Sequence, residues 1–432
     1  MQIMGGEGML TSSDLDQAIA ASWDRQLDWL KTLVGFPSQR GLEGPCQDWI
    51  ADAFRTRGWS VDRYVLSDVD MEHLPGHSPV RDTDYGQAVQ VVAAIRAPQP
   101  VGRSLILQGH VDVVPTGPEA MWSAPPYGAT VVEGKLFGRG ACDMKAGVCA
   151  MVFALDALRH AGYLPGSDVY VQSVTEEEST GNGALSTLAR GYRADACLIP
   201  EPTGHCIGRG QIGVMWFRLS VRGKPAHVAE SEQGTNAILS TYRLIEALQA
   251  FTRDLNERVK THPRFSGLTA PIKFNAGKIR GGDWASSTPA WCELDCRIAV
   301  LPGMSLEAFR QELADVVMRA AEADPFLAPN PPEIIWHGFQ AEDYVLEPGS
   351  AFEATMREAH RTATGAEARE WLFTGVTDSR FYGRYYDIPS LCYGPAGGQM
   401  HGFDEYVELE SVRHTTRVIA DFIQRWCGLR RV

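Results

Sequence analysis

The sequence predicts an α/β chain: a domain with a mainly parallel sheet flanked by helices, carrying an inserted α+β domain of ferredoxin-like order. Three observations lead there. Over residues 59–200, short apolar runs alternate with helical patterns, a β-α-β-α rhythm typical of a parallel sheet covered by helices. From residue 209 the rhythm becomes β-α-β-β-α-β, the ferredoxin-like arrangement. Near residue 350 the first rhythm resumes. The chain therefore divides into one split α/β domain, residues 1–208 and 340–432, and an insert of residues 209–339 of ordinary domain size.

The elements follow in order. Apolar residues recurring every three to four positions mark a helix over 14–35, stopped by Gly35 and Pro37, and a second over 45–57 ended by Gly58. WSVDRYVL, QAVQVVAAIRA and SLILQGHVDVV read as strands, with a long polar loop over 68–90. Residues 144–161 form a helix ended by Gly162; DVYVQSVTEE is a strand, NGALSTLARG a helix and ADACLIPEP a strand. In the insert, QIGVMWFRLSVRG reads as one long strand, and PIKFNAGKIRGG, PAWCELDCRIAV and PEIIWHGF as three more, with helices in NAILSTYRLIEALQAF and MSLEAFRQELADVVMRAA. A helix at 350–364, the strand SLCYGP and a closing helix at 409–427 complete the pattern. The first dozen residues read as a loose arm.

Bulk properties narrow the function. The 432 residues carry a formal net charge of −13, which argues against nucleic acid as a partner, since phosphate binding needs clustered Lys and Arg. Nine cysteines, an odd number without paired spacing, suit reduced thiols in a reducing compartment. The N-terminus lacks the basic and apolar regions of a signal peptide, and no apolar run approaches the roughly 18–20 residues of a membrane span. A cytoplasmic location without membrane attachment is expected.

Five motifs carry candidate chemistry. GHVDVVP ends a buried strand with His110 and Asp112, a pair that reads as a metal ligand with its orienting carboxylate or as an ordinary strand-end hydrogen bond. Asp143, in GRGACDMKAG, precedes a helix and could simply be its N-cap. VTEEESTGNGA places three consecutive carboxylates, Glu176 to Glu178, at a strand end; their repulsion would be relieved by a bound dication or by solvent. Glu201 lies between two prolines in PEPTG, and His401 in the Gly-rich loop of GPAGGQMHGFDE; a surface turn would account for either. Together they supply two imidazoles and three carboxylates at strand ends and loops of one domain, where sites of open α/β sheets form. Such nitrogen and oxygen donors without thiolate suit zinc, cobalt or manganese, and a carboxylate can bridge two ions. A further carboxylate could then move the proton of an activated water.

This motif set, over nearly the whole chain including the insert, resembles the M20 family of metallopeptidases and deacylases, most closely its acetylornithine deacetylase/succinyl-diaminopimelate desuccinylase branch. The resemblance implies two divalent metal ions, zinc first with cobalt or manganese as alternatives. It implies that His110 and Glu201 complete one ion's shell, that Glu178 and His401 complete the other's, and that Asp143 bridges them. Asp112 would orient His110, and Glu177, placed directly before a ligand, would be the general base. His227, in GKPAHVAESEQGTNAI of the insert, would reach the site of a partner subunit in a homodimer formed through the insert and stabilise the oxyanion. Arg297, in LDCRIAVLPG, could bind a substrate carboxylate, or pair structurally with Asp295 or a neighbour. Two stretches depart from the family pattern: GGDWASSTP has Ser286 and Ser287 where Asn is usual, and FTGVTDSR has Val376 where a second Gly is usual. The activity implied is removal of an N-acyl group from a small N-acyl amino acid or amine. A dipeptidase or carboxypeptidase is the alternative within the same chemistry, and a non-catalytic binding protein on the same fold the alternative outside it.

Overall fold

Continuous apolar runs become strands buried on both faces. In the computed structural model, which describes residues 9–432, Leu105, Ile106 and Leu107 are fully buried at the centre of the large sheet. Of the arm expected over the first dozen residues, residues 1–8 lie outside the described residues, and the first helix begins at Ser12, capped by Thr11.

Nine strands of the described residues form the large sheet. Its order is Ser60–Val65, Val89–Ile95, Val169–Val174, Leu105–His110, Cys197–Ile199, Ser390–Cys392, Ile207–Gln211 and Tyr344–Val345, with Glu370–Phe373 also pairing Ile207–Gln211. The α/β class holds, but parallel pairing is confined to the four central strands and to Glu370–Phe373; the remaining pairs are antiparallel. Ser60–Val65 and Val89–Ile95 are joined by a long loop with no crossover helix, so nothing requires them to run parallel. Helix Ala146–His160 is buried along most of its length and packs between Ser12–Val34 and Leu409–Cys427. Its Gly147 is required by contact: a Cβ there would stand 2.0 Å from the carbonyl oxygen of Pro200. The helix thereby holds the turn that carries Glu201.

The insert is a four-stranded antiparallel sheet, ordered Phe274–Gly281, Trp291–Val300, Gly213–Arg222, Glu333–Ala341. Helices Ala237–Val259 and Leu306–Glu322 pack on it with a separate apolar core that includes Phe217, Leu219, Leu244, Leu248, Phe309 and Leu313. The run QIGVMWFRLSVRG is divided at Ile212: Ile207–Gln211 belongs to the large sheet and Gly213–Arg222 to the small one. The residues on both sides of the division, Ile207–Gln211 and Gly213–Met215, are buried, so hydrophobicity alone reads across it. At Gly213 the outgoing chain passes the returning one so closely that a Cβ would lie 2.5 Å from the carbonyl oxygen of Ala341.

A third sheet escapes the periodicity because its strands are only two or three residues long. Gly397–Gly398, Tyr406–Glu408, Lys135–Phe137 and Thr130–Val132 form it in that order, and His401 lies in the loop between the first two. No helix of the described residues is long and apolar enough to cross a membrane. All nine cysteines are free thiols.

Candidate metal centre

Parallel pairing brings the functional strand ends together. Leu105–His110 pairs with Val169–Val174 so that His110 lies opposite Val174, and with Cys197–Ile199 on its other side. The turns carrying Glu176–Glu178 and Glu201 therefore flank His110, as expected at the carboxyl ends of a parallel sheet. Asp143 and His401 enter from the neighbouring turn and from the small third sheet.

The side chains converge. His110 Nε2 is 3.3 Å from Asp143 Oδ1, 3.9 Å from Glu177 Oε2 and 4.0 Å from Glu201 Oε1. His401 Nε2 is 3.4 Å from Asp143 Oδ2 and 3.1 Å from Glu178 Oε1. Asp143 thus offers one oxygen to each imidazole. Ligand atoms of His110, Asp143 and Glu178 lie within 4.8 Å of one another. The N-cap reading of Asp143 fails, because helix Ala146–His160 starts beyond it, with Lys145 at the N-cap position and no side-chain cap.

The electrostatics of this cluster are those of a site short of positive charge. Burial pushes the Glu177, Glu178 and Glu201 carboxyls up, and neighbouring negative charge adds to it: Glu201, Asp378 and Glu178 around Glu177, and Asp143 beside Glu178 and Glu201. His110 is pushed down by burial, but hydrogen bonds with Asp112 and Asp143 and the charges of Glu177 and Glu201 raise it well above the usual range. The charge of Glu178 raises His401 to about 11. Burial alone would raise Asp143, yet its contacts with both imidazoles hold it well below the ordinary range. Divalent cations would satisfy this donor set in place of protons. Cys142 and Cys392 are buried close by, and burial raises both thiols. The residues present fit divalent metal bound through oxygen and nitrogen.

Supporting groups fix the candidate ligands. The imidazole Nδ1 of His110 is 2.9 Å from the backbone carbonyl oxygen of Asp112 and 3.6 Å from its carboxylate. That carboxylate accepts the backbone N–H groups of Glu177, at 3.3 Å, and Glu178, at 3.0 Å. Asp112 thus orients His110 mainly through its main chain and the glutamate turn through its side chain. The regular strand ends at His110, so same-face alternation no longer governs Asp112. Glu176 turns away: its backbone is left-handed (φ 71°), and its carboxylate accepts from Arg40, Tyr85 and Thr180. Of the three glutamates, Glu177 and Glu178 line the cavity.

Glu405 escaped the sequence reading. It is buried, and its carboxylate accepts the backbone N–H groups of Gly140, Cys142 and Asp143 at 2.9–3.0 Å and pairs with buried Arg139 at 2.6 Å. Arg139 also donates to the carbonyl of Gly402, beside His401. The pair ties together the turns of Asp143 and His401. Its only signal was position, since both residues lie inside motifs that also carry a ligand.

The cluster forms the floor of a cavity of about 570 Å³ between the two sheets. Arg297 lines its wall, donating to the carbonyls of Lys273 at 3.3 Å and Thr374 at 3.2 Å. Among the described residues no carboxylate pairs with it. Asp295, the alternative partner, is taken by Arg218 and stands near His337. Burial lowers the Arg297 guanidinium to about 10. Val376 also lines the cavity. His227 does not: it is exposed on the insert, its Nδ1 accepting from the Ala229 N–H, with Ser287 bridged to it. Within one chain His227 stays apart from the other candidate residues.

The chain is similar to known proteins over most of its length. The model of peptidase family M20/M25/M40 matches residues 106–425. An N-formyl-4-amino-5-aminomethyl-2-methylpyrimidine deformylase of Halalkalibacterium halodurans is 32% identical over 350 residues, 76% of this chain and 80% of that protein. A succinyl-diaminopimelate desuccinylase of Delftia acidovorans is 26% identical over 420 residues, 93% of this chain and 98% of that protein. Among solved structures, the di-peptidase Dug1p of Saccharomyces cerevisiae superposes with a TM-score of 0.77 at 14% identity, covering 96% of this chain and 98% of that one, a likeness of fold.

Proposed function

The chain belongs to peptidase family M20/M25/M40 and is a metal-dependent hydrolase of amide bonds, and from that premise we propose that it removes the N-acyl group of a small N-acyl amine or N-acyl amino acid. The observation that carries this reading is the imidazole–carboxylate floor, with His110 fully buried in it, of a cavity of small-molecule size. His110 and Glu201 would hold one divalent ion, Glu178 and His401 a second, and Asp143 both, with zinc favoured and cobalt or manganese also suited to the donors. When bound, the ions supply Lewis acidity and lower the pKa of a coordinated water. Glu177, raised by burial, is the group that takes the proton of the attacking water and returns it to the leaving amine. Asp112 keeps His110 in one tautomer and the backbone of Glu177 and Glu178 in place. Arg297 offers its fork to an acceptor group of the substrate.

The same reading includes a homodimer through the insert, residues 209–339. Strand Phe274–Gly281 is an exposed sheet edge, and Ile238, Leu239, Tyr242, Ile279 and Trp284 expose apolar surface on the same domain. A two-fold contact there would be self-complementary and would let His227 serve the partner's oxyanion. The expected species in sedimentation is a dimer, and Trp284→Glu is expected to shift it toward monomer with loss of kcat. A fully active monomeric wild type would remove both the dimer and His227. The free cysteines are consistent with a reducing, cytoplasmic setting.

The deciding experiment is a panel of N-formyl, N-acetyl and N-succinyl compounds against dipeptides, with zinc- and cobalt-loaded protein. The N-acyl compounds are expected to lead in kcat/KM by roughly ten-fold or more. A lead for the dipeptides would make the protein a dipeptidase or carboxypeptidase. No turnover of either class after metal loading would leave a binding protein.

A further inference from the structure

The aromatic side chains of one cavity wall have no part in the chemistry above. Trp216, Phe339, Trp371 and Phe373 all line the cavity. Trp216 and Phe339 meet edge to face with ring centroids 5.3 Å apart; Trp371 and Phe373 do the same at 4.9 Å. The first pair stands on the insert's sheet. There Met215, Phe217 and Leu219 enter the insert's apolar core, so alternation turns Trp216 to the opposite face. The second pair stands on Glu370–Phe373 of the large sheet, beside Gly208 and Gly210, whose missing side chains leave the backbone itself as cavity lining. The two domains thus contribute one aromatic pair each.

The polar content of this wall is small and ordered. Arg297 lies opposite Trp216 on the adjacent strand, and Asn275 lies opposite Arg297 on the next, so Asn275, Arg297 and Trp216 form a row across three strands, all lining the cavity. Arg297 has only two long contacts to carbonyl oxygens and no acidic partner among the described residues. A flexible, multiply charged chain would lose its hydration against such a wall and regain little. A flat ring would instead find aromatic faces for stacking and edge-to-face contact, with donors at one rim.

We propose that the substrate of this site carries a planar aromatic or heteroaromatic ring close to the scissile amide. The ring is gripped by Trp216, Phe339, Trp371 and Phe373, and hydrogen-bond acceptors on its edge turn toward Arg297 and Asn275. This rests on the amide-hydrolase reading and names its substrate class.

The test uses matched amides on metal-loaded protein: N-formyl-pyridylmethylamine and N-formyl-benzylamine against N-formyl-cyclohexylmethylamine, of similar size but not flat, and against N-acetyl-leucine. The flat rings are expected to lead in kcat/KM by about ten-fold, the size of a good aromatic contact. Trp216→Leu and Trp371→Leu are each expected to shrink that lead several-fold, whereas Trp216→Phe keeps most of it. In parallel, pyridylmethylamine is titrated into metal-free protein and tryptophan fluorescence followed; quenching should fall away in Trp371→Leu. Equal or better turnover of the cyclohexyl or leucine compound overturns the aromatic assignment and leaves the deacylase reading standing. If no amide of the panel is turned over, the deacylase reading fails. The fluorescence titration then decides the wall alone: saturable quenching that depends on Trp371 supports it, and no quenching overturns it.

Discussion

The floor of the cavity and its aromatic wall are built on opposite principles. The floor gathers like charges that repel, and most of its candidate ligands have polar groups behind them: Asp112 behind the glutamate turn, Glu405 and Arg139 behind Asp143 and His401. The wall is held by packing; Trp216 lies on Gly338, where a Cβ would stand 2.6 Å from the indole, and Phe373 lies on Gly375. The floor is thus costly without a ligand and intolerant of small changes, while the wall is stable empty and open to substitution. Reaction type should reside in the first and substrate choice in the second.

The sharpest break between them is Glu177→Gln. The substitution keeps shape and removes the proton acceptor, so kcat should fall on the order of 10³-fold for every substrate. Metal content by elemental analysis should stay near wild type. A variant that kept most of its activity would move the base elsewhere and dissolve the distinction between Glu177 and its neighbour Glu178.

Removing the metals exposes the floor's cost through pH. In the metal-free protein His110, Glu178 and Glu201 all stand above their ordinary values. Groups raised on folding stabilise the folded state fully below their unfolded pKa, and that stability is lost as pH rises through the folded value. The chelated protein should therefore be most stable on the acid side and lose Tm as pH rises through the raised folded values of these groups, while the loaded protein holds it. Ions displace these protons, so affinity should rise by about ten-fold per pH unit for each proton released. Calorimetric titration in buffers of different ionisation enthalpy counts them; zero protons would contradict the charge-starved floor.

Glu405→Gln tests the layer beneath. It leaves every ligand in place but weakens the acceptor of three backbone N–H groups and unpairs the buried charge of Arg139. Metal affinity should drop roughly 10- to 100-fold, as when an outer partner of a ligand is lost. Unchanged affinity would mean that the Asp143 turn keeps its course unaided.

The same contrast explains what the sequence disclosed. That His110, Asp143, Glu178, Glu201 and His401 belong together was legible from their joint placement at strand ends and turns of one domain and from the M20-like order of their motifs, since each alone had an ordinary structural reading. Glu405 was not, because its partners are backbone amides of a turn whose course no local pattern records. The wall was illegible for another reason. Trp216 stands inside the continuous apolar run Val214–Phe217, which does not show which face meets the core, and only the docking of the insert against the large sheet makes the face of Trp216 and Phe339 a cavity. The division at Ile212 was hidden likewise, by burial on both sides of it.

The smallest expected effect falls on the wall. Arg297→Met keeps the apolar stem of the side chain and removes its five donors. If the wall selects and does not react, KM for a substrate with acceptors on its ring should rise about ten-fold, the worth of one charge-assisted contact. A substrate without such acceptors should be nearly indifferent, and kcat should change little for either. Stability should hold or improve, since burial already pushes this guanidinium down to about 10 with no carboxylate to offset it. A fall in kcat with KM unchanged would place Arg297 among the groups that act on the transition state, and the separation of floor from wall would have to be redrawn to include it.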